Sequence, residues 1–348
     1  MTADFIRIGS RGSELALWQA HWVRDRLSQD FPALTIVIDI IKTKGDKVLD
    51  APLSRIGDKG LFTREIEREL LDGSIDLAVH SLKDLPTELP AGLKLGAVAK
   101  RADVRDVLIY RDAQWLSSVV GSSVPRDLPS GGAADGPRGE TERKRGFAQG
   151  LQIEQLPANA VVATSSTRRR AQLLARHAGI QAPDIRGNVA TRMRKLAENP
   201  GLDATILALA GLTRLQFTIS EDGKLHGNDV PEGLLASVLP AEVMLPCVGQ
   251  GAIGIEIREN DELLEQVCRK LNHHESMQCV MAERAFLSGM GGGCQSPVGA
   301  YAEIEGDQIR MRVVSFADGP VRRGEARRPI QDPVGLGQEL ASQMKHKS

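Results

Sequence analysis

What most constrains this chain is a repeated switch of hydrophobic period, from about two residues to about 3.6, across short turns. Phe5 to Ile8 reads as a β run. GSRGS (9–13) then turns it into an amphipathic stretch whose Leu15, Trp18, Trp22 and Val23 share a helical stripe. A β-branched run follows at Leu34 to Ile41, then a helical face of Phe62, Ile66 and Leu70. Ile75 to Val79 reads as a buried strand ending at HSLKDLP (80–86), where Pro86 blocks continuation. Strands alternating with helices require α/β units around a largely parallel sheet.

The pattern resumes near Val104. Ala160 to Ala163 is strand-like, and TSSTRRRAQLL (164–174) opens a helix. Asp184 to Gly187 turns into another at Asn188 to Ala197, and Ala204 to Leu209 is again strand-like. Between them, residues 117–158 are rich in Gly, Ser, Pro and charge, including SGGAADGPRGETERKR (130–145). Such composition buries too little apolar surface to fold compactly alone, so the stretch reads as a surface insertion. GAIGIEIRE (251–259) returns to strand pattern, followed by helical stretches around 261–271 and 276–288 and the glycine-rich GMGGGCQSPVGAYAEI (289–304). The end reads as a small α+β unit, with a hairpin across 298–316 and a final helix near 334–345. A chain of 348 residues suits two or three such domains.

Composition narrows the partners. A 41% hydrophobic and 26% charged chain is of the soluble globular type. Net charge is −1, so no global field draws it to nucleic acid or an anionic membrane, and 3% aromatic residues leave few stacking platforms for bases. Asp4, Arg7 and Arg11 leave no room for an apolar signal core, and no run approaches transmembrane length. Cys247, Cys268, Cys279 and Cys294 form no C-x-x-C pair and no zinc-like spacing, so no metal site is expected. The expected location is the cytoplasm.

Anion binding must then come from local basic clusters, and these recur where strands give way to helices. In open α/β folds that edge binds ligands, and helix N-termini there offer free N–H groups. Arg11 and Ser13 occupy one junction, Ser165, Ser166, Arg168 and Arg169 a second, and Arg186 with Asn188 a third. Arg192 lies one helical turn beyond Asn188. One such arginine is ordinarily a solvated charge. Three junctions suit a polyanionic ligand as well as they suit bare surface, since guanidinium forks bind both oxygens of a carboxylate. Asp84 beside Lys83 reads either as a turn cap before Leu85-Pro86 or as a carboxylate at a strand end kept ionised by the ammonium. Cys294, after three glycines, reads either as a small buried filler or as a thiol reaching into a cleft. His273 and His274 are adjacent, which suits a helix-linking turn and not a metal pair. KTKGDK (42–47) lacks the G-K-[ST] of a phosphate loop.

Nine segments together resemble the porphobilinogen deaminase family, in family order. They are GSRGSELALWQA (9–20), KTKGD (42–46), DKGLFTREIE (58–67), DLAVHSLKDLPT (76–87), ATSSTRRRAQL (163–173), DIRGNVATRMRKL (184–196), LALAGLTRL (207–215), VGQGAIGIE (248–256) and GGGCQSPVGAYAE (291–303). The resemblance implies two domains like type II periplasmic binding proteins plus a small α+β C-terminal domain. The expected bounds are 1–100 with 250–270, 101–249, and 271–348. It implies a dipyrromethane cofactor joined by a thioether to Cys294, and a transferase reaction on porphobilinogen. Four porphobilinogens are added with loss of ammonia, and hydrolysis frees hydroxymethylbilane. Asp84 matches the family's catalytic aspartate. Arg11, Lys83, Arg168, Arg169, Arg186 and Arg192 match its carboxylate-binding positions, aided by Ser13, Ser166, Arg214 and Gln250. A monomer binding neither nucleic acid nor membrane is implied as well.

The chemistry agrees with those residues. Loss of ammonia from an aminomethylpyrrole leaves an electron-poor azafulvene, and attack by the next ring puts positive charge on pyrrole nitrogens, which a fixed carboxylate stabilises while it can also help move protons. Each ring also brings an acetate and a propionate. The chain departs from the family in its long stretches at 117–158 and 216–240, and in ending soon after its final helix. A non-enzymatic anion-binding module on the same scaffold explains the arginines but neither Cys294 nor Asp84. An RNA-binding role for Arg168 to Arg170 conflicts with the charge balance.

Overall fold

A computed structural model of the chain describes residues 5–47, 60–121, 145–293, 295–317 and 319–346. Its first third forms β1 (Phe5–Ser10), α1 (Glu14–Asp30), β2 (Thr35–Ile40), the single turn α2 (Lys44–Lys47), α3 (Arg64–Leu71), β3 (Leu77–Ser81) and β4 (Leu93–Val98). The two periods read from the sequence are the ones that bury side chains. Val23 and Leu27 of α1 pack on Ile6, Ile8, Leu77 and Val79, with Trp18 and Trp22 at the margin. Ala78, between Leu77 and Val79, points to the other face of the sheet, where Ile66 and Leu70 of α3 cover it.

A second lobe follows with β5 (Asp106–Arg111), α4 (Ala113–Gly121), β6 (Val162–Ala163), α5 (Thr167–Arg176), α6 (Val189–Glu198), β7 (Ala204–Ala208), α7 (Leu209–Arg214), the small hairpin β8 (Thr218–Ile219) and β9 (Leu225–His226), and β10 (Leu234–Leu239). Its sheet runs β10-β5-β7-β6. The chain then returns to the first lobe. There β11 (Ile253–Arg258) inserts between β3 and β4, giving the order β2-β1-β3-β11-β4. The next helix, α8 (Glu262–Leu271), completes the first core with Leu264, Val267 and Cys268. Two α/β lobes, with one strand of the first supplied after the second is built, are the architecture of type II periplasmic binding proteins. The sheets are less parallel than expected: β11 runs against β3 and β4, and β5 against β7 and β10. Both strands arrive from the other lobe, so they enter at the edge where their parallel neighbours end.

The last unit packs α9 (His274–Gly289) and α10 (Pro333–His346) on an antiparallel sheet of β12 (Val298–Glu305), β13 (Gln308–Ser315) and β14 (Arg322–Pro329). Two expectations need correction. The sequence reading has only a hairpin here, and β14 is a third strand. Nor is 117–158 wholly an insertion. Residues 117–121 belong to α4, while Leu151, Ile153 and Leu156 are buried in the second lobe's core beside Tyr110 and Leu173. Residues 122–144, including nearly all of the stretch 130–145, lie outside the described residues.

Candidate active site

Strand ends and helix starts meet at one edge of each sheet. Beyond β1, Ser13 caps α1 by accepting the Ala16 N–H at 3.3 Å. Arg11 crosses to Asp46, donating from Nε to Oδ1 at 3.2 Å, and lies 4.1 Å over the Phe62 ring. Burial alone would raise the Asp46 pKa, but the bonds from Arg11 and Thr43 outweigh it and hold the carboxyl below its usual range. That is the work of KTKGD in the fold: its Asp46 fixes Arg11. Arg11, Ser13, Gln19, Phe62, His80 and Asp84 line a pocket here.

Asp84 closes a 3-10 turn, Leu82–Asp84, directly after β3. The turn is held by Leu85 N–H donating to Leu82 O at 3.1 Å. Among the described residues the half-buried Asp84 carboxylate accepts no hydrogen bond, and Lys83 donates none. The turn-cap reading of Asp84 therefore fails, because the side chain caps nothing.

In the second lobe Ser166 caps α5, accepting the Arg169 N–H at 3.4 Å, and Asn188 caps α6, accepting the Thr191 N–H at 2.8 Å. The Ser165 hydroxyl donates to Ile185 O at 2.8 Å and accepts the Ile185 N–H at 3.0 Å, tying the two junctions together. Arg192 Nε donates to Gly187 O at 2.8 Å. Burial, then repulsion from Arg169 and Arg186, pushes the Arg192 pKa down to about 10, while Asp84 pulls it back up. Arg192 is still charged at neutral pH. It belongs to a crowded cationic cluster that an anion would relieve, and it feels Asp84 from the opposite lobe.

Arg168, Arg169 and Gln250, which the sequence reading assigns to ligand carboxylates, engage the protein itself in this structure. All three are buried and grip the protein's own Asp106, the first residue of β5. Arg168 Nη1 donates to Asp106 Oδ2 at 2.8 Å and to Leu245 O at 2.7 Å. Arg169 Nη2 donates to Asp106 Oδ1 at 2.7 Å, and Gln250 Nε2 donates to the same oxygen at 2.9 Å. Burial would raise the Asp106 pKa, but the two guanidinium charges override it and hold the carboxyl far below its usual range. Arg214 is likewise committed. Its Nη2 donates to Gly251 O at 2.6 Å, its guanidinium lies 5.8 Å from the Trp18 ring, and burial lowers its pKa to about 10.

The glycines of VGQG explain how Gln250 gets there. Gly249 and Gly251 have φ of +70° and +83°. A Cβ on Gly251 would come within 2.6 Å of Ala102 O, and one on Gly249 within 3.2 Å of Lys83 N. Only glycine lets the returning chain run so close to the outgoing crossover and to the turn that carries Asp84. The third unit grips the same crossovers. Glu283 of α9, wholly buried, accepts from Arg101 Nη1 at 2.6 Å and from Gly249 N–H at 2.8 Å.

Cys294 lies outside the described residues, but its loop is anchored on both sides. Gly293 N–H donates to Ser296 Oγ at 3.0 Å, and Ser296 N–H donates to Gly293 O at 2.9 Å. The Thr167 hydroxyl, at the start of α5, donates to Gln295 O at 2.7 Å. The loop thus docks beside the arginine-bearing helix of the second lobe. Burial pushes the thiols of Cys268 and Cys279 up to about 12, so neither is a nucleophile at neutral pH. His273 caps α9, as its place between helices implied. Among the described residues no group of His, Cys, Asp or Glu could hold a metal ion, and no helix is long and apolar enough to cross a membrane.

Two family models match nearly the whole chain. One, described as porphobilinogen deaminase, dipyromethane cofactor binding domain, covers residues 6–131 and 138–266, and the other, porphobilinogen deaminase, C-terminal domain, covers 277–346. The chain belongs to the porphobilinogen deaminase family. Porphobilinogen deaminases of Pelotomaculum thermopropionicum and Carboxydothermus hydrogenoformans are 42% and 40% identical to it, over 90% and 97% of this chain and 84% and 92% of theirs. That of Moorella thermoacetica is 41% identical over 97% of this chain and 92% of its own. Reduced OxyR from N. meningitidis aligns over 77% of this chain and 93% of its own at 12% identity and a TM-score of 0.37, too low to carry an argument. As a porphobilinogen deaminase the chain is a transferase. It condenses four porphobilinogens onto a dipyrromethane cofactor, with loss of ammonia, and releases hydroxymethylbilane by hydrolysis. The residues present fit that cofactor, since a carboxylate with no hydrogen-bond partner among the described residues and a crowded cationic cluster suit a group with pyrrole N–H donors and several carboxylates.

Sequence reasoning missed Gln19, Phe62, His80, Asp106 and Thr167 as parts of the site. All but Asp106 lie inside segments that carry the family resemblance, which is the signal that could have found them.

Proposed function

We propose that Asp84 is the catalytic carboxylate of this reaction and that Cys294 carries the dipyrromethane through a thioether. Arg11, Lys83, Arg186 and Arg192, with Ser13 and Ser166, hold the acetates and propionates. Arg168, Arg169, Arg214 and Gln250 instead build the wall behind them. The carrying observation is the Asp84 carboxylate, without a hydrogen-bond partner among the described residues, on the wall of a pocket and within reach of the field of Arg192. When bound, the cofactor supplies the ring carbon to which the first porphobilinogen joins. At each addition the aminomethyl C–N bond breaks and ammonia leaves, a C–C bond forms, and one ring hydrogen departs as a proton. Positive charge passes through the pyrrole nitrogens, where Asp84 stabilises it from a fixed position. We assign the units 1–100 with 250–270, 101–249 and 271–348 to the carboxylate, the arginines and the cofactor loop. The enzyme acts as a cytoplasmic monomer on small molecules, without nucleic acid.

Intact mass tests the attachment. The purified chain should exceed its sequence mass by two linked pyrrole units, and Cys294→Ser should lack that excess. An unmodified chain with full turnover would overturn the assignment.

The arginines should separate by stage. Losing one charge-assisted bond to a carboxylate costs roughly 1.5–3 kcal/mol, about ten- to a hundredfold in binding. Arg11→Leu, Arg186→Leu and Arg192→Leu should therefore stall growth at different numbers of added rings, read by mass after brief exposure to porphobilinogen. Arg168→Leu should lower stability instead. Identical ring distributions in all four variants and the wild type would reduce the arginines to general attraction.

A further inference from the structure

The loop around Cys294 is rooted in the third unit at both ends and tied to the second lobe near its tip. At its start Gly292 N–H donates to Leu287 O of α9 at 3.1 Å, and at its end the chain enters β12 at Val298. Between them the loop is thinly packed: a Cβ on Gly291 or Gly293 would meet no atom of the described residues within 4 Å. Hydrogen bonds must therefore place it. One of them comes from the second lobe, where the Thr167 hydroxyl donates to Gln295 O at 2.7 Å. A threonine at a helix start ordinarily serves the helix as its cap. Here Ser166 is the cap, accepting the Arg169 N–H, and the Ser166 N–H is itself taken up by Thr164 Oγ1 at 3.2 Å. The Thr167 hydroxyl is thus spare to the helix and bonds the loop.

Gln295 follows Cys294 directly, so a restraint on its carbonyl reaches the attachment residue across one Cα–Cα step of about 3.8 Å. Every addition takes place at the same carboxylate, although the attached chain lengthens by four rings. A single point of attachment can present the growing end to Asp84 for only one chain length. We propose that Thr167 is a positioning residue for the first addition: its bond to Gln295 O sets the attachment point so that the two-ring primer reaches Asp84 with its free end. The primer has the fewest carboxylates to hold it on Arg11, Arg186 and Arg192, so it depends most on where its sulfur is fixed. Each later ring brings two more carboxylates and needs the bond less. The inference rests on Cys294 as the attachment residue.

The test mixes holoenzyme rapidly with porphobilinogen, quenches at a series of times, and follows the loaded chains by intact mass through one, two and three added rings. Thr167→Val keeps the shape of the side chain and removes the hydroxyl. It should slow the first addition about 2- to 10-fold, the worth of one neutral hydrogen bond, and leave the third unchanged. Thr167→Ser should restore the wild-type ratio of the two rates, and all three proteins should melt alike. Equal slowing of every addition, or a Ser variant as slow as the Val one, would make Thr167 a structural residue and overturn the proposal. Wild-type rates in a loaded Val variant would overturn it too, and would leave the attachment to Cys294 standing. A wild-type chain without the mass of two linked pyrrole units would remove the attachment itself, and the positioning role with it.

Discussion

Asp84→Asn should lower turnover by at least about 10²- to 10³-fold, the scale of losing one preorganised electrostatic contact to a developing charge. The melting temperature should not change. Asn keeps the size and polarity of Asp, and the turn is held by the Leu82 and Leu85 backbone, so nothing structural is removed. What is lost is a negative charge beside a pocket whose other walls are Arg11 and neutral groups. Rates of ammonia release, thermal melts and intact mass on the same preparation separate the outcomes. A variant that melts like the wild type but accumulates no product fits the assignment. One that turns over normally removes Asp84 from the chemistry.

Asp106→Ala should cost about 3–5 kcal/mol of folding stability, the penalty for stripping one partner from a buried ion pair. Two guanidinium groups and the Gln250 amide would be left facing each other without the carboxylate that organises them. The effect also has a pH signature. The Asp106 pKa is depressed in the folded state, so its stabilisation is complete above the unfolded value of about 3.9 and disappears as pH falls below that. Wild-type stability should drop steeply below about pH 4, and this part of the drop should be missing from Asp106→Ala. Urea unfolding at a series of pH values measures both. A variant as stable as the wild type would show that Arg168 and Arg169 need no internal partner, and would return them to the ligand.

The junctions were legible because local chemistry marks them. Ser13, Ser166 and Asn188 are N-caps by residue type, and each lies where the hydrophobic period changes. The commitment of Arg168 and Arg169 was not legible, because Asp106 is a lone acid far upstream and no local pattern distinguishes it from a surface charge. β14 was hidden for another reason. Its alternation is real, but two of its inward residues are Gly324 and Ala326, so RRGEARRP shows no apolar stripe. Gly324 leaves room there for the end of the Met344 side chain of α10, which a Cβ would push aside. Buried Leu151, Ile153 and Leu156 were hidden by the polar run before them, which set the composition of the whole window. Asp84 lay between: its place at a strand end was visible, but that its carboxylate meets no hydrogen-bond donor among the described residues is a property of the folded turn.

The late insertion of β11 between β3 and β4 has a consequence for how the protein is made. Until residues 253–258 leave the ribosome, the first lobe has a gap inside its sheet, with one edge of β3 open and β4 lacking its strand partner. The second lobe, its sheet completed by β10, can close first although it begins later. Contacts this distant in sequence are slow to form, and open strand edges recruit other chains while they wait. A polypeptide cut short before Ile253 would carry that gap permanently, so nascent or truncated chains are where aggregation of this enzyme should begin.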